Sequence, residues 1–131
     1  MAKNTQRGKI LVVDDNPDIR GFARMFLEDA GYGVVTATDG EEGLRFYEQH
    51  RPSINLLLTD VAMPKMNGLE LAGRVLRIDS QLPVLFMSGD ASIAGLGLEC
   101  LTKPFRPNQL VEIVSRLLKA NTRLETTASA A

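Results

Sequence analysis

Five stretches of the chain are apolar at nearly every position, and segments with apolar residues three or four apart separate them. The first, Lys9–Asp14 (KILVVD), is a continuous apolar run ending in acid, the pattern of a strand buried on both faces. Gly33–Thr38, Ile54–Asp60, Pro83–Ser88 and a short Glu99–Thr102 follow as further strands. The first helix is expected to start at Asp15-Asn16-Pro17, with Asn16 as N-cap, Pro17 in the first turn and Gly31 as the stop. Its inward face reads Ile19, Phe22, Ala23, Phe26, Leu27 and Ala30, and Met25 and Met87 are placed in the core. The second opens at Asp39-Gly40-Glu41-Glu42, with Asp39 and Glu42 spaced as a capping pair, carries Leu44 and Tyr47, and fades by His50-Arg51-Pro52. Gly43 inside it should cost ~1 kcal/mol relative to alanine. The third starts near Asn67, with Leu69, Ala72, Val75 and Leu76 on one side. The last runs from about Pro107 to Ala120, with Leu110, Val111, Val114, Leu117 and Leu118 inward. Strands alternating with helices imply a parallel sheet covered on both faces. Residues 1–8 read as a flexible N-terminus, 9–120 as one domain and 121–131 as a flexible tail.

Composition narrows the setting. The 131 residues are 44% hydrophobic and 24% charged, which suits a globular chain. Net charge is −1, so no basic excess points to direct nucleic-acid contact. The single cysteine, Cys100, excludes an internal disulfide. No apolar run approaches the length of a membrane span, and no signal core opens the chain. A cytoplasmic protein without membrane contact is expected.

In a parallel sheet, strands end on one edge, where open α/β sheets place their ligand crevice. That edge collects Asp14 and Asp15, Asp60, Ser88 and Lys103. Each alone has an ordinary explanation: acids suit a helix start, serine ends many strands, and a loop lysine is usually solvated. Together they define a candidate site. Carboxylates at close range repel one another, which a hard divalent cation relieves. Asp15 and Asp60 are the expected direct ligands of Mg²⁺, with Asp14 direct or through a water and the backbone carbonyl of Ala62 completing the set. Asp60 beside such a cation can attack a phosphoryl group to form an acyl phosphate, with Lys103 and the Ser88 hydroxyl on phosphoryl oxygens. Pro64 and Gly68 read as turn geometry and a close helix approach. Met63 and Met66 line the site or simply pack. His50, the sole histidine, reads as surface.

Asp14-Asp15, Asp60 with MPKMNG after it, Ser88 and Lys103-Pro104-Phe105 resemble the receiver domain of two-component response regulators, over roughly residues 9–120. The resemblance implies an α/β, doubly wound, five-stranded parallel sheet in the order 2-1-3-4-5, a flavodoxin-like receiver fold. It also implies Mg²⁺-dependent phosphorylation of Asp60 by a histidine kinase or histidine phosphotransfer protein. Ser88 would then move toward the phosphoryl group and remodel the surface around the fourth helix and fifth strand. No enzymatic activity is expected beyond transfer to, and hydrolysis from, Asp60 itself. The chain is read as a stand-alone regulator or as the receiver segment of a hybrid histidine kinase.

Three positions depart from that pattern. Fourteen residues, GDASIAGLGLECLT, separate Ser88 from Lys103, which leaves a shortened fourth helix of at most about two turns. Cys100 stands three residues before Lys103, where receivers commonly carry a tyrosine or phenylalanine that swings inward on activation. Cysteine is small and usually buried, and cannot make that ring movement. Ala62 cannot orient a hydrolytic water, whereas Asp90, two residues after Ser88, reads as a candidate to do so from the other side. Other classes fit less well. An aspartyl-phosphate phosphatase needs an acid at position 62. A flavodoxin-like electron carrier needs a first loop that cradles phosphate, and DDNPD repels it. A pseudo-receiver scaffold that never takes phosphate is the alternative, and the presence of all five site residues argues against it.

Overall fold

The computed structural model describes residues 7–90 and 98–130. In β1 (Lys9–Val13), Ile10 and Val12 enter one core layer while Leu11 and Val13 enter the other, all fully buried. This is the two-residue period of a strand, and the run is continuously apolar because both faces are covered. In β3 (Leu56–Asp60), Leu56 and Leu58 join the first layer and Leu57 the second. With β2 (Gly33–Ala37), β4 (Val84–Ser88) and β5 (Cys100–Thr102), these strands form one parallel sheet in the order 2-1-3-4-5, as expected. The first layer lies under α1 (Pro17–Asp29) and α4 (Pro107–Ala130), built on Ala23, Leu27, Leu110, Val114 and Leu118. The second lies under α2 (Gly40–His50) and α3 (Gly68–Ile78), built on Tyr47, Leu71, Ala72 and Val75.

The helix starts follow their capping residues. Asn16 Oδ1 accepts from the N–H groups of Asp18 at 2.8 Å and Ile19 at 3.3 Å. Asn67 and Glu70 form a full capping box at α3. The expected reciprocal pair at α2 is half realised: Asp39 accepts from the Glu42 N–H at 2.8 Å, but Glu42 turns back to the Thr38 N–H at 2.7 Å and hydroxyl at 3.0 Å. Gly43 lies where α2 comes closest to β1, and a Cβ there would stand 2.9 Å from Val13 Cγ2. Close approach is what offsets its low helix propensity.

Several expectations need correction. Met25 is 54% exposed and Phe22 50% exposed, not core. Met25 lies two residues from both Ala23 and Leu27, which at 3.6 residues per turn is the opposite side of the helix. Leu69 is likewise exposed, since Leu71, Ala72 and Val75 form the inward face of α3. Cys100 is half-buried. The final helix continues from Pro107 to Ala130 instead of ending at Ala120, because neither glycine nor proline interrupts it. The strands begin or end a residue or two inside the expected limits: Asp14 lies just beyond β1, and Asn55, just before β3, accepts from the Lys9 N–H at 2.8 Å. The shortened fourth helix, expected between Ser88 and Cys100, falls mostly on residues 91–97, outside the described residues.

Candidate functional site

The carboxyl ends of β1, β3, β4 and β5 bring the five expected side chains to one edge. Register places Asp60 beside Met87 and Ser88 beside Thr102, so Lys103 follows directly from the strand next to Ser88. Asp14, Asp15 and Asp60 each offer an oxygen, and these oxygens lie within 4.8 Å of one another. Asp14 is fully buried, Asp60 is 6% exposed and Asp15 is exposed. Lys103 Nζ bridges the two buried acids, donating to Asp14 Oδ2 and to Asp60 Oδ1, both at 3.1 Å.

The charges in this cluster are not balanced. Burial, followed by the charge of Asp14, pushes the Asp60 carboxyl above its usual range, with Asp15 adding a smaller push and Lys103 opposing. Burial is the largest single influence on Lys103 and acts downward, but hydrogen bonds and charges from Asp14 and Asp60 together outweigh it and raise the ammonium. Three clustered carboxylates served by one ammonium fit a hard divalent cation: the donor set is all oxygen, and the repulsion from Asp14 and Asp15, which adds to burial in raising Asp60, is what such an ion relieves.

Asp60 itself is held through its main chain. Thr59 Oγ1, fully buried, donates to the Asp60 carbonyl at 2.9 Å. Gly68 packs against that same carbonyl so closely that any Cβ would run into it, and the Gly68 N–H donates to the Val61 carbonyl at 2.9 Å. The connecting loop turns at Lys65, whose φ of 68° lies in the left-handed region, and the Met66 N–H donates to the Pro64 carbonyl at 2.8 Å. Met63 is buried in the α2–α3 layer, and Met66 packs beside it and over Gly40. Both methionines therefore pack. The Lys103–Pro104 peptide is cis.

Ser88 stands apart. Its hydroxyl accepts from the Asp90 N–H at 2.9 Å and donates to the Asp90 carbonyl at 3.0 Å, not to Asp60 or Lys103. Ala62 is exposed in the loop after Asp60. His50 ends α2 half-buried, with its ring edge-on to Phe46 at 6.3 Å. One contact was not anticipated: Arg20 Nη1 donates to the Asp14 carbonyl at 2.7 Å. Its signal in the sequence is weak, a single arginine one turn into the helix that follows an acid pair. A hollow of about 300 Å³ borders the site, lined by Ile19, Phe22, Phe26, Pro104 and Phe105.

Residues 10–115 match the family model described as the response regulator receiver domain. The chain is 38% identical over 121 residues to the response regulator receiver protein CpdR of Brucella abortus, covering 86% of this chain and 98% of that protein. It is 38% identical over 130 residues to a probable transcriptional regulator, ycf27, of Cyanophora paradoxa, covering 92% of this chain but 53% of that protein. The chain thus spans about half the length of this second relative. Among solved structures it resembles the response regulator protein TrrA of Thermotoga maritima in complex with Mg²⁺ and BeF, at 30% identity and a TM-score of 0.75, over 84% of this chain and 98% of that one.

Proposed function

The chain belongs to the response regulator receiver family, and from that premise we propose that Asp60 is its phospho-acceptor, served by Lys103 and Ser88, with a Mg²⁺ site at Asp14, Asp15, Asp60 and the Ala62 carbonyl. The observation that carries this reading is the buried Asp60 carboxylate, shared through Lys103 with Asp14 and lying beside Asp15. Mg²⁺, when bound, supplies charge neutralisation for the carboxylates and for phosphoryl oxygens. An Asp60 oxygen forms a bond to phosphorus as the donor's bond to phosphorus breaks, giving an acyl phosphate and releasing the donor. Lys103 already donates to an Asp60 oxygen, so a small shift sets its ammonium on the transferred group. The Ser88 hydroxyl gives up its Asp90 contacts to reach that group, which couples transfer to the segment after β4.

The phosphoryl donor is a histidine kinase or histidine phosphotransfer protein. The exposed aromatic Phe22 and the hollow it lines with Pro104 and Phe105, which follow Lys103 in the chain, offer that donor an apolar foothold. The self-directed transfer to and from Asp60 is the only chemistry proposed, and the chain's partners are proteins rather than nucleic acid. Among the described residues no helix is long and apolar enough to cross a membrane, and a cytoplasmic setting is proposed on the single unpaired cysteine. The test is a Mg²⁺-dependent adduct with acetyl phosphate or beryllofluoride, followed by mass spectrometry and NMR. Wild type is expected to form it and Asp60→Asn to lose it completely; an adduct that survives Asp60→Asn removes the assignment.

A further inference from the structure

Asp14 is held at four of its atoms. Its N–H donates to the Ala37 carbonyl at 3.2 Å, Oδ1 accepts from the Asn16 N–H at 2.8 Å, Oδ2 accepts from Lys103 at 3.1 Å, and the carbonyl oxygen accepts from Arg20 at 2.7 Å. The Arg20 contact brings a permanently charged donor to a main-chain acceptor, the stronger class of hydrogen bond. That carbonyl belongs to the peptide that joins Asp14 to Asp15. A peptide unit is planar, so fixing its oxygen fixes the plane from which Asp15 departs. Asp15 depends on this more than its neighbours do. Asp14 and Asp60 are buried and touch Lys103, whereas Asp15 is exposed. Its place in the cluster is set by the main chain and not by packing. Arg20 itself is anchored in the first turn of α1, where its N–H donates to the Asn16 carbonyl at 3.0 Å.

We propose that Arg20 is a positioning residue for the acidic cluster: by holding the Asp14–Asp15 peptide from α1, it presets Asp15 for a divalent cation. This inference rests on the reading of Asp14, Asp15 and Asp60 as a Mg²⁺ site. Arg20 has no acceptor atom and supplies no ligand. Its effect passes through one carbonyl.

The test is calorimetric titration of the full chain with Mg²⁺, for wild type, Arg20→Met and Arg20→Lys. Methionine keeps an unbranched stem and good helix propensity while removing every donor. Arg20→Met is expected to weaken Mg²⁺ binding about tenfold, as when a group supporting a metal ligand is lost, and Arg20→Lys to recover most of it. In metal-free protein the Asp14 carbonyl ¹³C resonance should move upfield in Arg20→Met, which loss of a space-filling side chain alone would not produce. Arg20→Leu, which also lacks every donor, is read the same way should Arg20→Met not fold. Unchanged Mg²⁺ affinity, or an unmoved Asp14 carbonyl resonance, overturns the proposal. Wild-type binding fully retained in Arg20→Met removes only the role of Arg20. Absence of saturable binding in wild type removes the metal reading and this inference with it.

Discussion

The acidic edge of the sheet and the flank formed by β5 and α4 meet at Lys103, yet they are built differently. At the acidic edge, Asp14 is bonded at four atoms, and Asp60 is held through its carbonyl by Thr59 and by the close approach of Gly68. On the other flank, β5 is three residues long and only Leu101 of it is buried, packed in the core layer with Leu110 and Val114 of α4, while Cys100 is half-buried and the polar contact to α4 among the described residues is an ion pair between Glu99 and Arg116 at 3.0 Å, with side chains 44% and 58% exposed. Buried, multiply bonded groups have one geometry. Solvated ion pairs have many, and contribute little. The difference teaches that the acidic edge is over-determined while the polar contacts of the β5 flank are loosely held, which is what the proposed function needs if a covalent event at the first is to reshape the second.

The comparison can be broken most forcefully at Gly68. A methyl group there would overlap the Asp60 carbonyl and crowd Val61, so Gly68→Ala should destabilise the fold by about 3 kcal/mol and abolish the Mg²⁺-dependent adduct. A wild-type urea midpoint in that variant would show that the acceptor loop is not held as described. Next comes the charge on Asp60. Its raised pKa means the folded chain binds that proton more tightly than the unfolded chain does. The stability it contributes is therefore present below the ordinary value of 3.8 and is lost as pH rises through the raised folded value. Asp60→Asn has no such loss. In EDTA its thermal midpoint should pull ahead of wild type as pH rises above the ordinary value of 3.8, and added Mg²⁺ should shrink the gap. A gap that does not widen with pH would remove the claim that burial and the charge of Asp14 disfavour the ionised Asp60.

A smaller effect is expected at the start of α3. Asn67→Ala breaks a capping box in which Asn67 Oδ1 accepts from the Glu70 N–H at 2.8 Å, and should cost about 1 kcal/mol in chemical unfolding. The smallest belongs to the loose flank. Arg116→Ala removes the ion pair to Glu99 and should leave the unfolding midpoint within experimental scatter. A clear loss of stability there would mean that the flank is tighter than its exposure implies.

The central strands β1, β3 and β4 are legible because each is an apolar run with both faces buried, and the helices because their caps, Asn16, Asp39 and Asn67, precede apolar residues at helical spacing. Errors fell where periodicity is ambiguous. Phe22 and Met25 are apolar residues on a helix that buries Ala23 and Leu27, and hydrophobicity alone does not say which side turns inward. The polar, small residues after Ala120 read as a stop, yet they hold no helix breaker, and α4 continues through them.

Residue type and order along the chain were enough to place Asp14, Asp15, Asp60, Ser88 and Lys103 on one edge, since parallel strands must end together. What they do there was decided by tertiary structure. Lys103 meets Asp14 across 89 positions and Asp60 across 43, and only sheet register makes one ammonium serve both. Ser88 turns to its own loop, Arg20 reaches back to a carbonyl, and Gly68 leaves room for the Asp60 main chain. Local sequence records propensity and period; these contacts depend on the directions in which side chains and carbonyls point once the layers have packed.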